Sequence, residues 1–219
     1  MKEIIRFAPS LGFRKVDLSG LTNDPQPLYP PPGAAMIGDS TRGTSLGHLL
    51  GTTDVAFVRY EEEGQNASVQ LNFSLPLPKK DPDTGLITPG WKPPLTLRLT
   101  AINLGALGGT ARFKVWTCCP GPRDLIQEVK IKPEAGIVID VTLPDARYDR
   151  DHYVPGLYRI SDDVELDVST ARQTEPQAVC LIVRRERNIA EDTFHGAVGI
   201  SEYLVAYELP PAKPATPGI

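Results

Sequence analysis

Along much of this chain apolar and polar residues alternate with a period of two. Val69, Leu71, Phe73 and Leu75 alternate with Ser68, Gln70, Asn72 and Ser74, and Leu95, Leu97, Leu99 and Ala101 alternate with Thr96, Arg98 and Thr100. Phe113 and Val115, Val129 and Ile131, Ile137 to Leu143, and Val164, Leu166 and Val168 repeat the pattern. A period of two puts successive side chains on opposite faces of a strand. The turn Lys132-Pro133-Glu134-Ala135-Gly136 predicts a hairpin between the strands on either side of it. Val179 to Val183 is a continuous apolar run, the mark of a strand buried on both faces. With Asp54 to Tyr60, Gly156 to Ile160 and Val198 to Tyr207 the chain offers about ten strands, and many short strands between turns predict an antiparallel β-sandwich. The expected fold is all-β and jelly-roll-like, over residues 54–209, with an extended N-terminal arm. The 22 prolines and 19 glycines break long helices, so at most Thr44 to Leu50 is expected to form a short helical turn.

Two segments fall outside the alternation. Residues 1–53 contain Pro25, Pro27, Pro30, Pro31 and Pro32 and are expected to form an extended arm; residues 210–219 form a second proline-rich tail. Ile4, Ile5, Phe7, Leu11, Phe13, Val16, Leu18 and Leu21 are too apolar for a free linker. An apolar segment that cannot enter the sheet needs another surface. Ile4, Phe7, Leu11, Phe13, Val16, Leu18 and Leu21 are therefore the expected partner-binding residues, with wrapping over the chain's own sandwich as the alternative. The long loop from Pro76 to Pro94 carries Trp91, a candidate exposed contact; the alternative is that it folds back onto the sheet.

Composition narrows the function. The 219 residues, 41% hydrophobic and 23% charged, suit a folded domain with a real core. A net charge of -4 argues against nucleic acid as the main partner. Arg184, Arg185 and Arg187, interrupted by Glu186, read as a solvated strand edge. No apolar run approaches the roughly 20 residues of a membrane span, and no signal sequence is apparent. Asn66-Ala67-Ser68 and Asn72-Phe73-Ser74 therefore read as chance sequons. The three cysteines, Cys118, Cys119 and Cys180, lack metal-binding spacing, and their odd number argues against a disulfide scaffold and for a reducing compartment.

Candidate chemistry is sparse. Gly38-Asp39-Ser40 with Asp192-Thr193-Phe194-His195 resembles the first and last blocks of GDSL-type esterases, in which the serine is nucleophile and Asp-x-x-His supplies the orienting acid and the base. The α/β framework of that family is missing, as is its Gly-x-Asn-Asp block, and Asp149 to His152 repeats the Asp-x-x-His spacing. The expectation is that the protein is not an enzyme and has no catalytic residues. Asp145, Asp149, Asp151, His152, Asp162 and Asp163 match no calcium-loop pattern and read as a solvated acidic surface. His48, His152 and His195 stand apart, and no cofactor or metal is expected. Trp91, Trp116, Tyr148, Tyr153 and Tyr158 are candidates for stacking on sugars, with core packing as the plainer reading.

The stretch Arg187-Asn188-Ile189-Ala190-Glu191-Asp192-Thr193-Phe194-His195-Gly196-Ala197-Val198-Gly199-Ile200, running on through Tyr203-Leu204-Val205-Ala206-Tyr207, resembles the end of tailed-bacteriophage virion proteins of β-sandwich or jelly-roll type. The resemblance implies a structural virion component made in the host cytoplasm: a capsid decoration or cement protein, or a collar or fibre adaptor. Its implied partners are other copies of itself, a homotrimer for example, and another virion protein such as the major capsid protein. The alternatives are a carbohydrate-binding β-sandwich module of a fibre or adhesin and, behind it, a GDSL-like esterase.

Overall fold

The computed structural model describes residues 2–7, 15–16, 36–39, 44–49, 55–60, 68–119, 136–145, 147–149, 152–154, 158–186 and 189–210. Among these there is no helix. The strands, in chain order, are β1 (Lys2–Phe7), β2 (Lys15–Val16), β3 (Met36–Asp39), β4 (Thr44–Leu49), β5 (Val55–Tyr60), β6 (Ser68–Ser74), β7 (Lys79–Lys80), β8 (Ile87–Thr88) and β9 (Lys92–Asn103). They continue with β10 (Gly109–Cys118), β11 (Ile137–Leu143), β12 (Arg147–Asp149), β13 (His152–Val154), β14 (Tyr158–Ile160), β15 (Val164–Glu165), β16 (Ala178–Arg185) and β17 (Val198–Glu208).

Two sheets face each other. One runs β14-β9-β17-β5-β4, with β1 beside β17 and β15 beside β9; the other runs β11-β10-β16-β6-β3-β2. All neighbours are antiparallel except β2 and β3. The eight central strands in chain order are β5, β6, β9, β10, β11, β14, β16 and β17. Numbered one to eight, they give 1-8-3-6 in one sheet and 2-7-4-5 in the other. That order is the jelly roll.

The alternation in the sequence is what builds the core. Val69, Leu71 and Phe73 of β6, Leu95, Leu97, Leu99 and Ala101 of β9, and Ala111, Phe113 and Val115 of β10 all point inward and are buried. Phe7 lies 5.4 Å from Phe73, and Tyr60 meets Phe113 edge-on at 5.3 Å. β17 changes phase midway: Ile200 pairs with Ala101 but Glu202 with Thr100, leaving Ser201 as a bulge. The extra residue turns Tyr203 and Val205 inward after Val198 and Ile200, so both halves of the strand feed the core.

Several expectations change. Residues 1–53 do not stand apart from the sandwich where they are described: β1 and β4 join one sheet, β2 and β3 the other. β5 covers the edge of β17 from Val198 to Ile200, and β1 takes over from Tyr203 to Glu208. Phe7 is fully buried, Ile5 packs on the core and Ile4 is 52% exposed, so Phe7 is a core residue of its own domain and no partner-binding residue. Val16 lies in β2, paired with Gly38; Leu11, Phe13, Leu18 and Leu21 lie outside the described residues. Thr44 to Leu49 is a strand and no helical turn. The described partner of β11 is β10, and the 128–131 half of the expected hairpin lies outside the described residues. Val179 to Val183 is buried on one face only, because Cys180 and Ile182 lie on the half-exposed outer face.

Candidate functional site

The Asp-Thr-Phe-His block folds into a loop held from beneath by Arg185. This arginine is the last residue of β16, where alternation turns it inward. Its Nε donates to Asp192 Oδ2 at 3.2 Å and its Nη2 to Asp192 Oδ1 at 3.3 Å. Nη1 donates to the Gly196 carbonyl at 2.6 Å and Nη2 to the Phe194 carbonyl at 2.8 Å, with the guanidinium 5.4 Å from the Phe194 ring centroid. Both charged side chains are buried, so the expected solvated edge is corrected: Arg185 is a buried clamp. Asp192 also accepts from the Arg112 backbone N–H at 3.3 Å. The carboxylate that an esterase would use to orient a histidine is thus engaged elsewhere, and His195 faces solvent. Ser40 lies outside the described residues.

Of the aromatic candidates, neither Trp91 nor Trp116 offers an open face to a sugar. Trp91 is 1% exposed and belongs to the core cluster, which overturns its role as an exposed contact. The indole is too large an apolar surface to leave in water when the loop can return it to the sandwich. Trp116 sits on the outer face of the six-stranded sheet but is covered, with the Arg184 guanidinium 4.5 Å and the Lys114 ammonium 5.5 Å from its ring. Tyr148 and Tyr153 are opposite one another in the β12–β13 ribbon, and Tyr158 is in β14. Among the described residues no three His, Cys, Asp or Glu side chains gather as metal ligands. Asp145 accepts from the Gly108 N–H at 2.7 Å, and Asp163 makes a two-pronged pair with Arg98 at 2.7 and 2.9 Å. That guanidinium holds the Asp163 carboxyl below its ordinary range.

What the structure does assemble is a cleft at one end of the sandwich. It is open, about 580 Å³ in volume, and lies between the start of β9 at Pro93, the start of β11 at Ile137 and the segment 165–173. Glu165, Asp167, Ser169 and Gln173 supply its polar groups, and Pro93, Ile137, Val168 and Ala171 its apolar surface. Asp167 fixes the turn beneath by accepting the Ser169 N–H at 3.0 Å. Among the described residues no lysine or arginine lines it. The volume falls within the range of small-ligand sites. Sequence reading missed this site. The alternation of Val164, Leu166 and Val168 with Glu165 and Asp167 marked one outward face, but the concavity comes from distant strand starts.

No protein-family model matches the chain, and no curated protein matches it. Among solved structures, the chain is similar to the family 11 carbohydrate-binding module from Clostridium thermocellum in complex with a β-1,3-1,4-mixed-linked tetrasaccharide: 15% identity, TM-score 0.32, covering 78% of this chain and 86% of that one. The family 11 module of a cellulosomal cellulase of Clostridium thermocellum gives 12% identity and a TM-score of 0.29 over 81% of this chain and 87% of that one. A structure described as showing the promiscuous specificity of carbohydrate-binding modules of the β-sandwich superfamily gives 9% and 0.28, covering 77% and 54%. At such TM-scores nothing about this chain's ligand follows from them.

Proposed function

We propose that this protein is a non-catalytic β-sandwich binding module that takes the end of a neutral carbohydrate in the cleft beside Asp167. The observation that carries the reading is the lining: two carboxylates, an amide and a hydroxyl over an aliphatic floor, with no cationic side chain among the described lining residues. Acceptors without a cation disfavour phosphates and carboxylates. A sugar offers hydroxyl donors to carboxylates and amides, and its C–H face suits Pro93, Ile137 and Val168. Engagement of Asp192 by Arg185 supports binding over hydrolysis. The capsid-cement reading loses part of its physical motive, because Phe7 lies in its own core; a fibre or adhesin remains a setting in which such a module is carried.

The test is a screen of the full chain on immobilised glycans, with a titration of calcium chloride alone alongside. Binding to a neutral glycan, lost in Glu165→Gln/Asp167→Asn/Gln173→Ala with an unchanged β spectrum, is expected. Calcium binding with no glycan bound would overturn the carbohydrate reading. A p-nitrophenyl ester assay is expected to show no turnover; turnover lost in Ser40→Ala and His195→Ala would replace the proposal with an esterase.

A further inference from the structure

We propose that Cys118 and Cys180 form a site of reversible disulfide formation joining the two central strands β10 and β16, independently of the carbohydrate reading. The two cysteines are direct partners in the β10–β16 register. Alternation points both to the same, outer face: Val115 on β10 and Val179, Leu181 on β16 are buried inward, while Cys118 and Cys180 are half-exposed. Cys119, one residue on, turns to the other face and is buried in the core cluster. Directly opposed residues of an antiparallel pair have Cα atoms about 4.5–5.5 Å apart. A disulfide spans Cα separations of about 4.4–6.8 Å, so this pair needs no backbone rearrangement. The odd number of cysteines, read in sequence as an argument against pairing, resolves into one facing pair and one core thiol.

The oxidant is a low-molecular-weight disulfide such as oxidised glutathione. One cysteine thiolate attacks it, forming a mixed disulfide and releasing one glutathione. The facing thiolate then attacks the protein sulfur of that mixed disulfide and expels the second glutathione. Two protein thiols lose two electrons and two protons, and one glutathione disulfide is reduced to two thiols. Burial, together with the nearby Cys118, pushes the Cys180 thiol up to about 12, against a hydrogen bond from Gln70 that lowers it. Little Cys180 thiolate exists near neutral pH, so the exchange is slow there and accelerates as pH rises.

The experiment equilibrates the full chain in a glutathione redox buffer at pH 8.5, starting both from reduced protein and from protein refolded under oxidising conditions. Thiols are counted after denaturation and the oxidised form is mapped by peptide mass spectrometry. The expected result is a fall from three thiols to one with a mass loss of about 2 Da, a single Cys118–Cys180 linked peptide, and a Tm raised by several degrees. Cys119→Ser should leave the link and the Tm rise intact, whereas Cys118→Ser and Cys180→Ser should each abolish both. Three thiols at equilibrium from both directions, a link through Cys119, or a glutathione adduct as the sole product would overturn the proposal.

Discussion

Arg185 and Asp192 form a buried ion pair in which one guanidinium also holds the carbonyls of Phe194 and Gly196. A loop that looks like a fragment of an esterase is thereby a structural latch. It presses the Phe194 ring into the core and delivers the chain into β17, the interior strand between β9 and β5. Gly196, at φ +136° and beside Gly105, lets the loop make its last turn where a side chain would be strained.

Removing one member of this pair strands the other's charge in the interior. Arg185→Met is expected to cost about 3–5 kcal/mol of stability by urea denaturation. Arg185→Met with Asp192→Leu should cost clearly less than the single change. A loss below about 1 kcal/mol for the single variant would show that the latch does not hold the loop.

Phe7 anchors β1, and β1 covers the exposed half of the β17 edge. Phe7→Ala is expected to lose about 3–5 kcal/mol, as large-to-small changes in cores do. An arm devoted to a partner would behave otherwise: the isolated protein would keep its Tm and lose only self-association.

Trp91 gives a third test, because its burial decides between a contact residue and a core residue. Trp91→Ala should destabilise by about 3–5 kcal/mol, while Trp91→Phe retains most of the stability. If the alanine variant were as stable as the parent, Trp91 would belong to the surface.

Tyr60 and Tyr203 share a 2.8 Å hydrogen bond between their hydroxyls inside the sandwich, and burial raises both above the ordinary phenol range. Below pH of about 10 both phenols are protonated, folded or unfolded, and their stabilisation is complete. Above it the unfolded chain releases protons that the folded chain retains, so stability falls as pH rises. The loss per group approaches about 1.4 kcal/mol per pH unit well above pH 10, and comes to about 2 kcal/mol for the pair between pH 10 and 11. The core thiol of Cys119 and the partly exposed thiol of Cys180, both pushed up to about 12, start the decline from about pH 9. Urea unfolding at pH 9, 10 and 11 reads this directly, and Tyr60→Phe should reduce the loss between pH 10 and 11 by about 1 kcal/mol, the share of one phenol. A stability independent of pH across that range would contradict it.

The sandwich was legible because its strands are half-buried and print a period of two; β6, β9, β10 and β11 lie where that period puts them. β1 was not legible, since a strand of six residues at an edge has too few inward positions to stand out, and Phe7 reads equally well as a partner's anchor. Arg185 was misread for a different reason. Arginine is rarely buried, and its partner Asp192 becomes visible only when the loop folds back. The cleft combines Pro93, Ile137 and Asp167 from three separate stretches, so no local window contains it.

The proposal that the cleft beside Asp167 takes a neutral sugar is tested by isothermal titration of the full chain with an oligosaccharide bound in the glycan screen. The expected result is saturable binding that Asp167→Asn and Glu165→Gln together weaken at least tenfold, with Tm and β spectrum unchanged. Undiminished affinity in that double variant, or no neutral glycan bound at all, would contradict it.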